Sequence, residues 1–513
     1  MEDEEEKASK RQLILVGIAV LLTGILLIVK PTHAVFQVNK TINIMDAKVG
    51  DFGGPTKTVK AGDVYVDYDE GMIPIAFNSS GQTVRADETN TDSTYYWFDY
   101  CQKTSSGLYG YKASGCTFRW ANAVLVTDTN RSTYKSATPG TLINESDILA
   151  YLVYIPRYSY QLWNANDGTS AVQTINIEFE NKTTTPSCGG NTCTTNRVYS
   201  TGSNGQMLTH PAFTFGTTEL NGIWVGKFDT SPDEATTCYS TTNVTNCNDV
   251  AGTMITPRIK PNKNTWRFIN LATAFAVGRY FKTDPMYGIN SSTIDAHIMK
   301  NMEWGAVAYL SQSIHGKRGN QGTEVWNNNY NDFSAYSKDL TGCGGTSARA
   351  PYVTIGCSYP YPHPNGVQAS TSGTLYGVYD MSGGAAECVM GNMAANGQTP
   401  PADMNLGSAI SGFTVPYPSS KYYDSYAYGT TFGDAAAYAR GYLGDATKET
   451  IMDQSCATCG WNNNVNAFMY NTLSWFYRGG YSLSETTTGI WSFMYGCGNA
   501  QSMMGFRITL VVE

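Results

Sequence analysis

Beyond Ser311 this 513-residue chain carries few hydrophobic runs of helical or strand period, and Gly, Asn, Ser, Thr and aromatic residues fill most of the C-terminal two hundred positions. Irregular sequence on that scale is uncommon in a compact domain unless the loops themselves build the functional surface. The chain is nevertheless long enough to bury a large core. With 42% hydrophobic but only 15% charged residues, its surface must be covered by neutral polar side chains rather than ions. A net charge of −8 excludes a polyanionic partner, because nucleic-acid binders concentrate Lys and Arg to displace counterions from phosphates.

Twelve cysteines, an even number, fall largely in close pairs: Cys101 with Cys116, Cys188 with Cys193, Cys238 with Cys247, and Cys343 with Cys357. Local pairs of this kind point to disulfides and to an oxidising compartment. Cys388, Cys456, Cys459 and Cys497 have several connectivities open to them. Cys456-Ala-Thr-Cys459 has the spacing of a redox motif, but no strand–helix pattern adjoins it, which favours a structural disulfide. Seven Asn-X-Ser/Thr triplets, from Asn39 to Asn290, are glycan acceptors in a suitable host, so a glycoprotein is expected.

Near the start, an unbroken apolar run from Leu13 to Val29 follows Lys7, Lys10 and Arg11 and precedes Lys30. Length and flanking charge predict a membrane-spanning signal-anchor with its N-terminus inside and the remainder outside. The competing reading is a signal peptide cut after Ala34. Under the anchor reading, residues 1–12 form a cytoplasmic head, 13–29 the transmembrane signal-anchor, 30–71 a stalk, 72–204 a β-rich extension and 205–513 the main domain. The expected localisation is the cell membrane, single-pass, with the C-terminal part extracytoplasmic.

Short strands are predicted at Ala123–Val126, at Tyr151–Ile155 and over Ile175–Phe179, where the alternation is cleanest, with a further strand over Leu220–Phe228. A helix is predicted from Trp266 to Tyr280. A second is predicted after Ser292, carrying Ile298, Met302, Ala306, Tyr309 and Leu310 at helical spacing. The terminal Phe506–Val511 alternates as a strand. Trp304, Trp475 and Phe506 read as core.

Three segments carry a resemblance. They are Met299-Lys-Asn-Met-Glu-Trp-Gly-Ala-Val-Ala-Tyr309; Tyr376-Gly-Val-Tyr-Asp-Met-Ser-Gly-Gly-Ala-Ala-Glu-Cys-Val-Met-Gly-Asn392; and Trp475-Phe-Tyr-Arg-Gly-Gly480 together with Gly505-Phe-Arg507. In this order they resemble the formylglycine-generating-enzyme (sulfatase-modifying factor) family and its C-type-lectin-like superfold, as found in exported bacterial surface proteins of gut Firmicutes type. The resemblance implies an α+β, loop-rich fold over residues 205–513, here with an N-terminal β-rich extension and one N-terminal transmembrane helix.

The same resemblance implies copper held by two cysteines after Arg-Gly-Gly, and thiolates are the natural ligands of copper(I). Tyr481 to Gly496 contains no cysteine, so catalysis loses its reaction centre. The implied calcium site, built from Asn and Glu, is reduced here to Glu387, because Gly384 stands at the amide position. Pairing of Glu387 with an arginine such as Arg478 is the alternative. His33, His210, His297, His315 and His363 lack metal-ligand spacing, and His297 beside Asp295 reads as a surface pair.

What remains is recognition. Related display scaffolds present residues between Arg-Gly-Gly and the last strand, and the matching residues here are Tyr481, Ser482, Ser484, Trp491, Tyr495, Asn499 and Gln501, with Trp461 and Asn463 shortly before. Such residue types supply contact area with adaptable hydrogen bonding, although some of the aromatics belong to the core. The expectation is a membrane-anchored, adhesin-like protein for an extracellular glycan or protein. The alternatives are a divergent formylglycine-generating oxidase and a structural surface-layer or pilus-like component.

Overall fold

The computed structural model describes residues 56–102, 115–194, 197–232, 255–330, 339–393, 411–413, 417–456, 459–496 and 498–513. Two sheets organise them. The first has seven strands, every pairing antiparallel. In chain order the strands begin with the hairpin β1 (Thr56–Ala61) and β2 (Val64–Asp69), followed by β3 (Ile73–Phe77), β4 (Thr83–Arg85), β5 (Asn122–Val126) and β6 (Ile148–Pro156). Next come β7 (Tyr158–Gln161), β8 (Ile177–Phe179), β9 (Met207–Thr209), β10 (Thr214–Phe215), β11 (Thr218–Glu219), β12 (Gly222–Gly226) and β13 (Ile294–Ile298). After β14 (Cys343–Gly344) and β15 (Tyr359–Pro360) stand β16 (Ala386–Met393), β17 (Asp424–Tyr426), β18 (Trp475–Arg478), β19 (Phe493–Gly496), β20 (Met504–Phe506) and β21 (Ile508–Val512).

The seven-stranded order is β13-β21-β12-β6-β5-β3-β4, so the C-terminal strand lies inside the sheet rather than at its edge. β6 is buried along all nine residues, as its near-continuous apolar sequence requires of a strand covered on both faces. β6 and β12 are neighbours, so the segments expected as extension and as main domain contribute adjacent strands to one sheet. The second sheet runs β17-β16-β18-β19, with β20 also on β16.

Among the described residues there are five α-helices: α1 (Asp128–Ser136), α2 (Leu271–Phe281), α3 (Asn301–Ser311), α4 (Lys317–Gln321) and α5 (Asp434–Arg440). The expected α+β class is corrected to a mostly-sheet architecture. No helix among the described residues is long and apolar enough to cross a membrane. The transmembrane helix and the single-pass membrane localisation are therefore corrected as well, having no support there, and the run Leu13–Val29 lies outside the described residues.

The two helix expectations fare differently. α2 begins five residues later than the periodicity suggested, because the Asn270 side chain accepts the Thr273 N–H at 2.9 Å and caps it there. The second is divided: Ile294–Ile298 is a strand, paired residue for residue from Ile294↔Val512 to Ile298↔Ile508, and α3 starts only at Asn301. Glu303 fixes that start by accepting the Lys300 backbone N–H at 2.9 Å. Every residue of α3 is buried. Its Gly305 is required by contact, since a Cβ there would lie 1.9 Å from the Gly444 carbonyl oxygen.

Candidate functional site

A cavity of about 370 Å³ opens where the entry to α3 meets β10 and β17. Lys300 lines it from the residue before α3 and Met302 from its first turn, Asp424 and Ser425 from β17, Thr214 from β10, and Arg197, Lys421, Tyr423 and Tyr442 from connecting segments. Its three cations differ in their commitments. Arg197 donates to Glu219 Oε2 at 2.7 Å, a carboxylate it shares with Arg157. Lys421 pairs with Asp295 at 2.9 Å and Glu513 at 3.0 Å. Lys300, only 6% exposed, is paired with no carboxylate among the described residues, and its ammonium stands 5.7 Å from the Phe215 ring.

Asp424 complements Lys300. Its Oδ2 accepts the Met302 N–H at 2.7 Å, which ties β17 to the first turn of α3. Burial pushes its carboxyl up to about 6, with Lys300 and the Met302 amide opposing, so it is largely ionised at neutral pH. Tyr442 donates its hydroxyl to the Ser425 carbonyl at 2.8 Å, which holds its ring beside the cavity. The arrangement supplies one donor cation, one acceptor carboxylate and two tyrosines. It contains no nucleophile–base pair.

Beneath the cavity His297 is buried, bonded through Nε2 to Glu303 at 2.9 Å and stacked on Phe215 with ring centroids 5.0 Å apart. The expected surface pair with Asp295 is thereby corrected, because His297 faces Glu303 while Asp295 binds Lys421 and Tyr422. Burial opposes ionisation of Glu303, yet His297, the Lys300 charge and the Lys300 backbone N–H hold its carboxyl below the usual range.

None of the nine expected recognition residues lines this cavity. Trp461 is fully buried, stacked on Trp163 at 5.4 Å and edge-on to Trp491 at 5.0 Å. Trp491 and Ser482 are buried too, so these three are corrected from display to core. The reason is partners from distant segments: the Trp461 indole donates to Ser170 O, and the Ser482 N–H to Gly384 O. Asn463 is exposed, and Tyr481, Ser484, Tyr495, Asn499 and Gln501 are half-buried. Tyr495 packs against Tyr470 at 5.0 Å and Phe432 at 5.6 Å, while Asn499 accepts from Gln501 at 2.8 Å.

Glu387 binds Arg507 through both its oxygens, which leaves the expected calcium position filled by a guanidinium. Arg478, the partner expected for Glu387, instead donates to Ala446 O at 3.1 Å and lies over Trp304. Among the cysteines, Cys101–Cys116, Cys188–Cys193, Cys343–Cys357 and Cys456–Cys459 are disulfides with Cα separations of 5.1, 5.4, 5.6 and 5.5 Å. Cys238, Cys247 and Cys497 lie outside the described residues. Cys388 is buried with a free thiol that burial pushes up.

The sequence reading missed Lys300, Asp424 and Tyr442. A lysine directly before a helix with no polar face was the available signal for the first of them.

No protein-family model matches the chain, and comparison with curated proteins gives no match. The three-segment resemblance accordingly rests on its motifs alone.

Proposed function

We propose that this is a disulfide-braced binding protein that takes a saccharide into the cavity beside Lys300 without reacting it there. One observation carries the reading: a buried lysine lines a cavity with no carboxylate paired to its ammonium among the described residues. That ammonium meets Asp424 and Glu303 only beyond ion-pair distance, so a ligand that accepts from it directly is favoured. The volume falls in the class that holds small molecules. A hydroxyl-rich ligand suits the mixed lining, with Lys300 donating, Asp424 accepting through the oxygen not used by Met302, and the tyrosine rings offering flat apolar faces.

The oxidase alternative needs two thiolates. Cys388 is the free cysteine among the described residues, and burial holds its thiol protonated. The test is a glycan array probed with the labelled full chain and with Lys300→Met. Binding by the native chain that the variant loses supports the reading, whereas an unbound array, or one bound equally by both, overturns it.

A further inference from the structure

Among the described residues Cys456–Cys459 closes the shortest of four disulfide loops, with a sequence separation of 3 against 15, 5 and 14. A bond enclosing so little chain removes the least entropy from the unfolded state, so it contributes least to holding the fold. Both cysteines are half-exposed, and Asp434, 1% exposed, lies against them at the first residue of α5. One oxygen of Asp434, Oδ2, accepts the backbone N–H of Cys459. The other, Oδ1, is buried without any hydrogen-bond partner. A carboxylate oxygen and the two sulfurs lie within 4.8 Å of one another.

That orphaned oxygen is expensive where it stands, and an S–H appears within its reach only when the disulfide opens. We propose that Cys456–Cys459 is a thiol–disulfide exchange centre for cysteine-bearing polypeptides, with Asp434 as the group that exchanges a proton with Cys459. In one direction a partner thiolate attacks Sγ of Cys456. The new S–S bond forms as the Cys456–Cys459 bond breaks, and the electron pair goes to Cys459 Sγ, which takes a proton through Asp434. A second partner thiolate then attacks the mixed disulfide and releases Cys456 as thiolate, so the partner is oxidised by two electrons and the Cys456/Cys459 pair is reduced. In reverse, the Cys456 thiolate attacks a partner disulfide and expels its first sulfur as thiolate; Asp434 then accepts the Cys459 proton, and the thiolate so formed attacks Cys456 Sγ, restoring Cys456–Cys459 as the partner's second sulfur leaves as thiolate. The acidity of Asp434 suits this exchange. Burial pushes its carboxyl up to about 6, the Cys459 amide opposes, and Asp453 on the cysteine loop adds to the rise.

The test uses the full chain in glutathione buffers of graded composition, with acid quench, alkylation and peptide mass analysis. Cys456–Cys459 should open at a reduced-to-oxidised glutathione ratio at least about tenfold lower than the other disulfides require. With a fluorogenic glutathione disulfide as probe and dithiothreitol as reductant, Cys456→Ser should abolish turnover. Asp434→Asn should slow it by at least about tenfold and remove an inflection near pH 6 from the rate profile. If Asp434→Asn does not fold, the native chain's own pH profile decides, and a flat profile across that region counts against the proposal. Simultaneous opening of Cys456–Cys459 with Cys101–Cys116, Cys188–Cys193 and Cys343–Cys357, or an Asp434→Asn variant indistinguishable from the native chain, overturns it.

Discussion

Arg507 and Glu387 are locked together in the interior, Nε to Oε2 at 2.9 Å and Nη2 to Oε1 at 2.5 Å, with neither side chain more than 1% exposed. Arg507 stands between β20 and β21, where the chain passes from the five-stranded to the seven-stranded sheet. Nη1 donates to Gly226 O at 2.7 Å, and Nη2 also lies within reach of Tyr379 O at 2.9 Å and Asp229 Oδ1 at 3.0 Å. One guanidinium therefore ties both sheets and the Tyr379 segment. Only the fixed fork of arginine can serve so many acceptors at once.

Removing one partner of this pair leaves a buried charge uncompensated. Burial and the neighbouring Glu387 push the Asp229 carboxyl up, against the pull of Arg507. We expect Glu387→Gln to lower unfolding free energy by about 3 kcal/mol in urea denaturation. An unchanged denaturation midpoint would show that Asp229 takes over the charge without cost.

Because Arg507 engages both oxygens of Glu387, no carboxylate is free there for a hard cation. The melting temperature should be the same in a chelator as in excess calcium chloride. A rise with calcium would place an ion elsewhere among the acidic residues.

Glu449 governs a pH dependence of stability. It is buried, accepting from Tyr309 Oη at 2.6 Å, Tyr160 Oη at 2.9 Å and Gly444 N at 2.6 Å, and burial outweighs these donors to push its carboxyl up to about 7 from 4.5. A folded-state value above the unfolded one means the folded chain holds the proton more tightly. The stabilisation is full below about pH 4.5 and is lost as pH rises through about 7. Its size is on the order of a few kcal/mol at about 1.4 kcal/mol per unit. Glu449→Gln should flatten this slope in denaturation series across that window while leaving the acidic limit similar.

What the sequence made legible was periodicity. β5, β6 and β21 were visible because β-branched and apolar residues run there without competing spacing. Ile294–Ile298 was misread because its isoleucines also fit the helical phase of α3 beyond it. The arbiter is pairing with β21, which lies far along the chain. Trp461 was misread for a related reason, since the residue types that display well also pack well, and Trp163 decides which occurs. Proximity was enough to pair Cys101 with Cys116 and Cys343 with Cys357 because short loops constrain their own closure. For Lys300 the local signal was only its place before an apolar helix. Its importance comes from β10 and β17 folding around it, which that signal does not encode.

The binding reading is tested most directly by calorimetric titration of an array-selected saccharide into the native chain and into Lys300→Met. A hydrogen bond from a charged donor contributes about 1.5–3 kcal/mol, so we expect the variant to bind about tenfold to a hundredfold more weakly with its fold intact. Equal affinity for the two proteins would contradict a ligand seated against Lys300.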